Sequence, residues 1–344
     1  MRKRRIVFRA DGNKEIGLGH IVRCIALASL LKHTFKLVFI SNKLLEKQKA
    51  LIAPICKLIE LESNDLHDEL KELAAILDSN DILVIDGYFF DESYQLTVKQ
   101  LVHKLVMIDD LIAIHCYAHL IINHGGECLK QNYRKEPYTK VLVGFDYLLV
   151  RQAFLNSAKK VITTKKAIQT AFVCMGGADP LNITVKVVTA CIKAGVFHTI
   201  IIVLGGAYSN REELLELINE YKKDFDLRLE ENVDAETMVG LISSSDICIC
   251  PSSSISLEVC CVTSGLLTGT TIDNQDGVHN QLIKNRCCVS LSDFNSSTIE
   301  DIMVALKLIA DVNVVNELIK NQKKAVDGLS SERLLKQFKL LSEC

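Results

Sequence analysis

Short runs of β-branched and aromatic residues alternate along the chain with longer segments whose apolar residues recur at helical spacing. The first half reads "RIVFRA", "HIVRCIALASLLK", "KLVFIS", "CKLIEL", "DELKELAAILDS", "DILVID", "QLTVKQLV" and "KLVMID". Nearly continuous apolar strands separated by amphipathic helices predict a parallel sheet covered on both faces. Around Asn156 to Lys166 the pattern lapses into "NSAKKVITTKK", which has no apolar period and is the expected linker. A second series follows, from "AIQTAFVCMGG" and "ITVKVVTACIKAG" through "TIIIVLGG", "REELLELINEYKK", "LRLEENV" and "ETMVGLISSS" to "DICICPSSS", "SLEVCCVTS", "GLLTGT" and "NQLIKN". From Ser296 to Cys344 the pattern is helical throughout. The expected fold class is α/β, with two doubly wound, Rossmann-like domains over residues 1–157 and 167–330 facing across a cleft at the carboxyl ends of their strands. Residues 331–344 are expected to form a helix that packs back on the first domain.

At 344 residues the chain is long enough for two domains with separate cores. Hydrophobic residues make up 49% and charged residues 24%, the balance of a chain folded nearly throughout. A formal net charge of -2 provides no field to hold a polyanion, so nucleic acid is not an expected partner. The basic opening Met1 to Arg5 is followed by "IVFRADGN", in which Arg9 and Asp11 break the apolar run a signal peptide needs. No apolar run reaches the ~20 residues that span a bilayer. A cytoplasmic location without stable membrane insertion is expected. The thirteen cysteines are odd in number, show no Cys-x-x-Cys spacing and sit mostly in apolar segments, where they read as buried thiols.

The chemistry concentrates in a few stretches. In "VFRADGNKEIGLGHIVRC" a strand ends near Arg9, a turn holds Asp11, and Gly17 and Gly19 let backbone approach a ligand ahead of a helix. A dinucleotide fingerprint fails here, because its third glycine position is Val22 and no acid ends the second strand. His20 lies in the helix's first turn, where the dipole disfavours imidazolium and leaves a ring able to accept a proton from water; a capping or packed histidine is the plainer alternative. In "FVCMGGADPLNIT", Gly176 and Gly177 offer amides to a diphosphate, or simply make a turn, before a helix expected to carry Pro180 in its first turn. In "DICICPSSSISLEVCC", the hydroxyls of Ser252, Ser253 and Ser254 suit phosphate oxygens, and Glu258 suits a pair of ribose hydroxyls. "VIDGYFFDE" closes an apolar strand with Asp86 and then Tyr88, a position that faces the ligand crevice in open α/β sheets. "DDLIAIHCYAHLIINHGGEC" gathers Asp109, Asp110, His115, Cys116, His119, His124 and Cys128 without a recognisable zinc spacing, and no metal site is expected.

The segments "FRADGNKEIGLGHIVRCIALA", "LVIDGYFFD", "VMIDDL", "VGFDYLLVRQAF", "CMGGADPLNIT" and "TIDNQ" occur in the order found in the UDP-sugar hydrolases of pseudaminic acid biosynthesis, the PseG family, which the chain resembles from Ile6 to about Asn285. The resemblance implies a fold like the GT-B glycosyltransferases, close to MurG, with UDP bound mainly by the C-terminal domain. It implies hydrolysis of UDP-2,4-diacetamido-2,4,6-trideoxy-β-L-altrose to UDP and the free sugar, without metal or other cofactor. Water attacks the anomeric carbon with inversion, and His20 occupies the place of the base. Tyr88 and Asn274 fall near the sugar, Glu258 at the ribose, and Gly176 and Gly177 by the diphosphate. With these, Arg9, Asp11, Gly17, Gly19, Arg23, Ser252, Ser253 and Ser254 complete the expected substrate-binding set. Two other activities fit the same residues: a UDP-sugar glycosyltransferase of the MurG or spore-coat polysaccharide type, and a nucleotide-sugar binding protein without catalysis.

Overall fold

The apolar runs form strands and the periodic segments form helices in a computed structural model that describes residues 4–12, 19–42, 44, 46–63 and 65–343. Contacts divide the chain into two units, residues 1–152 with 329–344, and residues 153–328. The first unit carries β1 (Arg5–Ala10), α1 (Gly19–Leu31), β2 (Lys36–Asn42), α2 (Glu46–Ile52), β3 (Lys57–Leu61), α3 (Leu66–Ile76), β4 (Ile82–Asp86), α4 (Glu92–Leu101), β5 (Lys104–Ile108), β6 (Leu120–Asn123) and β7 (Lys140–Val143). Its strands pair in parallel in the order β3-β2-β1-β4-β5-β6-β7. Because residues alternate across a strand, Ile6, Phe8 and Ala10 enter one core layer while Val7 enters the other. The order reverses between β1 and β4, the place where doubly wound sheets bind ligands at their carboxyl ends. There Ala10 pairs with Asp86, Asp86 with Ile108, and Ile108 with Ile122, which aligns the ends of four neighbouring strands.

The second unit carries α5 (Gln152–Ala158), β8 (Thr170–Val173), α6 (Ile183–Ala194), β9 (Thr199–Leu204), α7 (Arg211–Tyr221), β10 (Asp226–Glu231), α8 (Ala235–Ser244), β11 (Ile247–Pro251), α9 (Ser254–Val262), β12 (Gly265–Thr270), α10 (Asp276–Lys284), β13 (Val289–Asp293), α11 (Ile299–Ile309) and α12 (Val312–Ala325). All its strands are parallel in the order β10-β9-β8-β11-β12-β13, with the same reversal between β8 and β11. The helix α13 (Ser330–Glu343) belongs to the first unit, where Leu334 and Phe338 are fully buried in the layer of Ile6 and Phe8. Each such side chain contributes about 1.5–3 kcal/mol of burial.

The division at Gln152 falls before the compositional lapse at 156–166. Phe154 and Leu155 are fully buried, and Lys323 Nζ donates to the carbonyls of Ala158 and Lys160, so α5 is tied to the end of α12. Three strands lie outside the alternating series of apolar runs. β6 and β7 are four residues each, too short to show a period, and β13 reads "VSLSD", alternating half-buried and exposed positions at the sheet edge. The helical tail is three helices, the first started by a capping box between Thr298 and Asp301. The described cysteines are free thiols, buried except for Cys288, which is half-buried. Among the described residues no helix is long and apolar enough to cross a membrane.

Candidate functional site

In the first unit the carboxyl ends of β1, β4 and β5 bring a histidine, an arginine and two carboxylates together. His20 is the second residue of α1 and is 4% exposed. Its Nδ1 lies 2.6 Å from Asp86 Oδ1. Arg23, one turn along the same helix, donates from Nε to Asp86 Oδ2 and from Nη2 to Asp86 Oδ1, both at 2.6 Å, and from Nη1 to Asp110 Oδ2 at 2.7 Å. Burial alone would raise the Asp86 carboxyl, but Arg23 and His20 outweigh it and hold Asp86 below the usual carboxylate range. An ionised carboxylate only accepts, so the proton of the His20–Asp86 bond sits on Nδ1. The 3.1 Å approach of Arg23 Nη2 to the same nitrogen is then a contact between two donors, and the shorter bond to Asp86 sets the tautomer. In the neutral ring Nε2 is left with the lone pair. This is the arrangement by which a buried aspartate orients a histidine base. Burial also opposes the charge of Arg23, but Asp86 and Asp110 hold its guanidinium protonated well above its ordinary range.

Tyr88 follows β4 and is 49% exposed. Its ring meets His20 edge to face with centroids 4.6 Å apart, and its hydroxyl donates to Asp110 Oδ2 at 3.3 Å. Asp11, just past β1, accepts at Oδ1 from Arg9 Nη1 at 2.6 Å, Ser41 Oγ at 2.9 Å and the Asn42 amide at 2.7 Å. Gly19 opens α1, is exposed, and has no atom within 4 Å of where a Cβ would stand. Gly17 lies outside the described residues.

Two residues expected to contact substrate are instead built into the fold. Arg9 is 1% exposed and grips Glu69 with Nε at 2.8 Å and Nη2 at 2.6 Å, over the rings of Phe89 and Phe90. Tyr94 donates to the same Glu69 at 2.7 Å. Arg9 therefore positions Asp11 and stays inside because a paired guanidinium is stable only where its partners are. Arg23 likewise has its donors on Asp86 and Asp110 and, through Asp86, fixes the His20 ring.

The histidines that follow β5 separate. His115 Nε2 lies 2.9 Å from Glu136, and His119 Nδ1 accepts from the Leu105 amide at 3.0 Å. His124, just past β6, is 6% exposed, and burial with the nearby Arg23 pushes it down to about 4. The unfolded ring titrates near 6.5, so the stability His124 contributes is fully present above about pH 6.5 and is lost as pH falls from there through about 4. Between pH 7.5 and 5 the loss is about 2 kcal/mol. Melting across that range is expected to fall less steeply for His124→Gln than for the parent; parallel curves would contradict the assignment.

In the second unit, Gly176 has φ 95°, and neither it nor Gly177 has any atom within 4 Å of a built Cβ. Open space above two adjacent alpha carbons is what a ligand approaching backbone requires. The helix behind them is not free to bind an anion. Asp179 accepts from the Ile183 and Thr184 amides, each at 2.8 Å, and from Thr184 Oγ1 at 2.6 Å, so a carboxylate already caps α6. Pro180 also lies in the turn before α6 rather than in its first turn, since the helix begins only at Ile183. Ser252 is fully buried, its Oγ 2.7 Å from His279 Nδ1 and 3.0 Å from Thr268 Oγ1, with His279 Nε2 3.0 Å from Ser290 Oγ. That chain occupies Ser252 and leaves Ser253 and Ser254, both half-buried, at the start of α9. Glu258, on the same helix, is 5% exposed, and Asn274 lies half-buried in the short turn of helix after β12.

The sequence places Asp86 at a strand end facing the crevice and groups Asp110 with the histidines without giving either a role, and it does not single out Asp179. The signal for the first two is an acid closing an apolar strand, "ILVID" and "LVMIDD"; for Asp179 it is an acid shortly before a helix.

No protein-family model matches the chain. Over 253 residues it is 26% identical to an uncharacterized protein of Methanocaldococcus jannaschii, covering 71% of this chain and 51% of that one, so it spans about half of that relative. It is 25% identical over 284 residues to the UDP-2,4-diacetamido-2,4,6-trideoxy-beta-L-altropyranose hydrolase of Campylobacter jejuni, covering 81% of this chain and 96% of that one. It is 24% identical over 275 residues to the spore coat polysaccharide biosynthesis protein SpsG of Bacillus subtilis, covering 77% of each. Among solved structures, Acinetobacter baumannii MurG superposes with a TM-score of 0.67 at 11% identity over 98% of this chain and 99% of that one. A UDP-glucosyltransferase from Polygonum tinctorium superposes at 0.71 and 12% identity over the full length of both. Two parallel sheets with these neighbours give the chain the GT-B fold, and it is a distant relative of the Campylobacter hydrolase and the Bacillus spore-coat protein.

Proposed function

We propose that the protein hydrolyses a UDP-linked sugar, and that its substrate is UDP-2,4-diacetamido-2,4,6-trideoxy-β-L-altropyranose or a close relative. The observation that carries the reading is the buried His20–Asp86 pair, whose carboxylate Arg23 also grips. His20 Nε2 takes a proton from water as the water oxygen bonds to the anomeric carbon. The bond from that carbon to the diphosphate oxygen breaks on the opposite face, and its electron pair leaves with UDP. Because UDP is a good leaving group, a placed base and a held diphosphate supply the main requirements. Gly176 and Gly177, with Ser253 and Ser254, are assigned to the diphosphate, Glu258 to the ribose, and Tyr88 and Asn274 to the sugar. The 25% identity to the Campylobacter hydrolase over most of both chains supports the choice of substrate.

The test is incubation with this UDP-sugar in oxygen-18 water, without acceptor. Release of UDP with label on the C1 oxygen of the sugar is expected, and His20→Asn should keep UDP binding while losing ~10²–10⁴-fold in turnover. UDP release only on adding an acceptor would replace hydrolysis by glycosyl transfer, and unchanged turnover in His20→Asn would remove the base.

A further inference from the structure

Two buried polar atoms at the carboxyl edge of the first sheet have no hydrogen-bond partner among the described residues, Asp110 Oδ1 and His124 Nδ1. Asp110 follows β5 and His124 follows β6, and these strands are neighbours in the sheet. Arg23 and Asp86 lie within electrostatic reach of His124, as does Asp110 itself. Leaving a buried polar atom unpaired forfeits the hydrogen bonds it made to water in the unfolded chain. Two such atoms on adjacent strand ends, beside the His20–Asp86 pair, are an expensive arrangement unless a group beyond the described residues satisfies them. The other oxygen of Asp110 is already engaged by Arg23 Nη1 and the Tyr88 hydroxyl. The side chain of Asp110 as a whole retains 15% exposure, and Tyr88, whose hydroxyl reaches its other oxygen, is half-exposed.

We infer that Asp110 Oδ1 and His124 Nδ1 form a subsite for a hydroxyl or amide group on the sugar of the substrate. The inference rests on the nucleotide-sugar reading above. A carboxylate oxygen paired with arginine only accepts, so the entering group must donate a proton to it. A neutral imidazole nitrogen adds one further donor or acceptor, and a hydroxyl or an amide can answer either. A methyl or methylene in the same place would leave both atoms unpaired, so the subsite selects by hydrogen bonding rather than by shape.

Calorimetry on the full chain with UDP, UDP-glucose, UDP-N-acetylglucosamine and further UDP-hexoses tests this, comparing the parent with His124→Phe and His124→Gln. At least one UDP-hexose is expected to bind more tightly than UDP. His124→Phe should lose about tenfold or more of that advantage with UDP affinity unchanged, and His124→Gln, which keeps hydrogen-bonding groups, should restore part of it. If UDP itself does not bind the parent, the nucleotide-sugar reading fails and the subsite with it. If UDP binds but no sugar adds affinity, or if the advantage is the same in His124→Phe, the subsite alone is overturned. A crystal structure with a bound UDP-sugar in which water, and not the sugar, bridges the two atoms overturns it as well. Should His124→Phe not fold, His124→Leu takes its place as the variant without hydrogen-bonding groups, with His124→Gln again as the partial rescue.

Discussion

Replacing Asp86 by Asn is expected to slow UDP release by ~10³–10⁴-fold while UDP affinity stays within about twofold of the parent, the range seen when a buried aspartate behind a histidine base loses its charge. The reason is proton placement. Both oxygens of Asp86 accept from Arg23, and one also accepts from His20 Nδ1. An asparagine has only one oxygen, so in either orientation its amide N–H faces an Arg23 N–H. The orientation that keeps the Arg23 Nε bond donates to His20 Nδ1 and moves the ring proton to Nε2, where no base remains. Initial rates, UDP calorimetry and melting on the same preparation separate this from misfolding. A folded variant with parental turnover would sink the dyad. Stability adds an independent reading. Burial tends to raise Asp86, but Arg23 and His20 hold it below its usual range, so its contribution is full above about pH 4 and is lost as pH falls below that. Acid unfolding of Asp86→Asn should depend less on pH there.

Gly205→Ala is expected to be the most damaging single methyl in the second unit. Its Cβ would stand 2.3 Å from the Gly177 carbonyl oxygen, 2.4 Å from Gly177 Cα and 2.6 Å from the Gly176 carbonyl oxygen. All three are backbone, so no side chain can swing aside, and relief requires moving β9 or the Gly176–Gly177 loop. Overpacking of this kind costs about 1–3 kcal/mol or more, which lowers the melting temperature of a unit this size by roughly 3–10 °C. Displacing the loop should also weaken UDP at least about tenfold if the diphosphate lies against it. Gly177→Ala is the control. Nothing stands within 4 Å of its added Cβ, so melting should change by less than about 0.5 kcal/mol, whereas UDP should weaken because the methyl enters the space above the loop. Unchanged UDP affinity in Gly177→Ala would remove the loop from the diphosphate site and leave the role of His20 standing.

The alternation of apolar runs with helical segments determined two parallel α/β sheets, because a strand buried on both faces must be apolar throughout and a helix packed on it must be apolar on one stripe. The same local reading put His20 at a helix start and the cysteines in the cores. Where it failed, the missing information was the identity of a distant partner. Arg9 and Ser252 look like ligand contacts in their own stretches, but Arg9 meets Glu69 sixty positions along the chain and Ser252 meets His279 twenty-seven along. His20 finds Asp86 sixty-six residues away because the sheet order sets β1 beside β4 rather than beside its successor alone. Periodicity in a sequence reports which face a residue occupies. Which strand ends lie side by side, and so which polar groups satisfy one another and which remain for a substrate, is a property of strand order, and only the tertiary structure decided it.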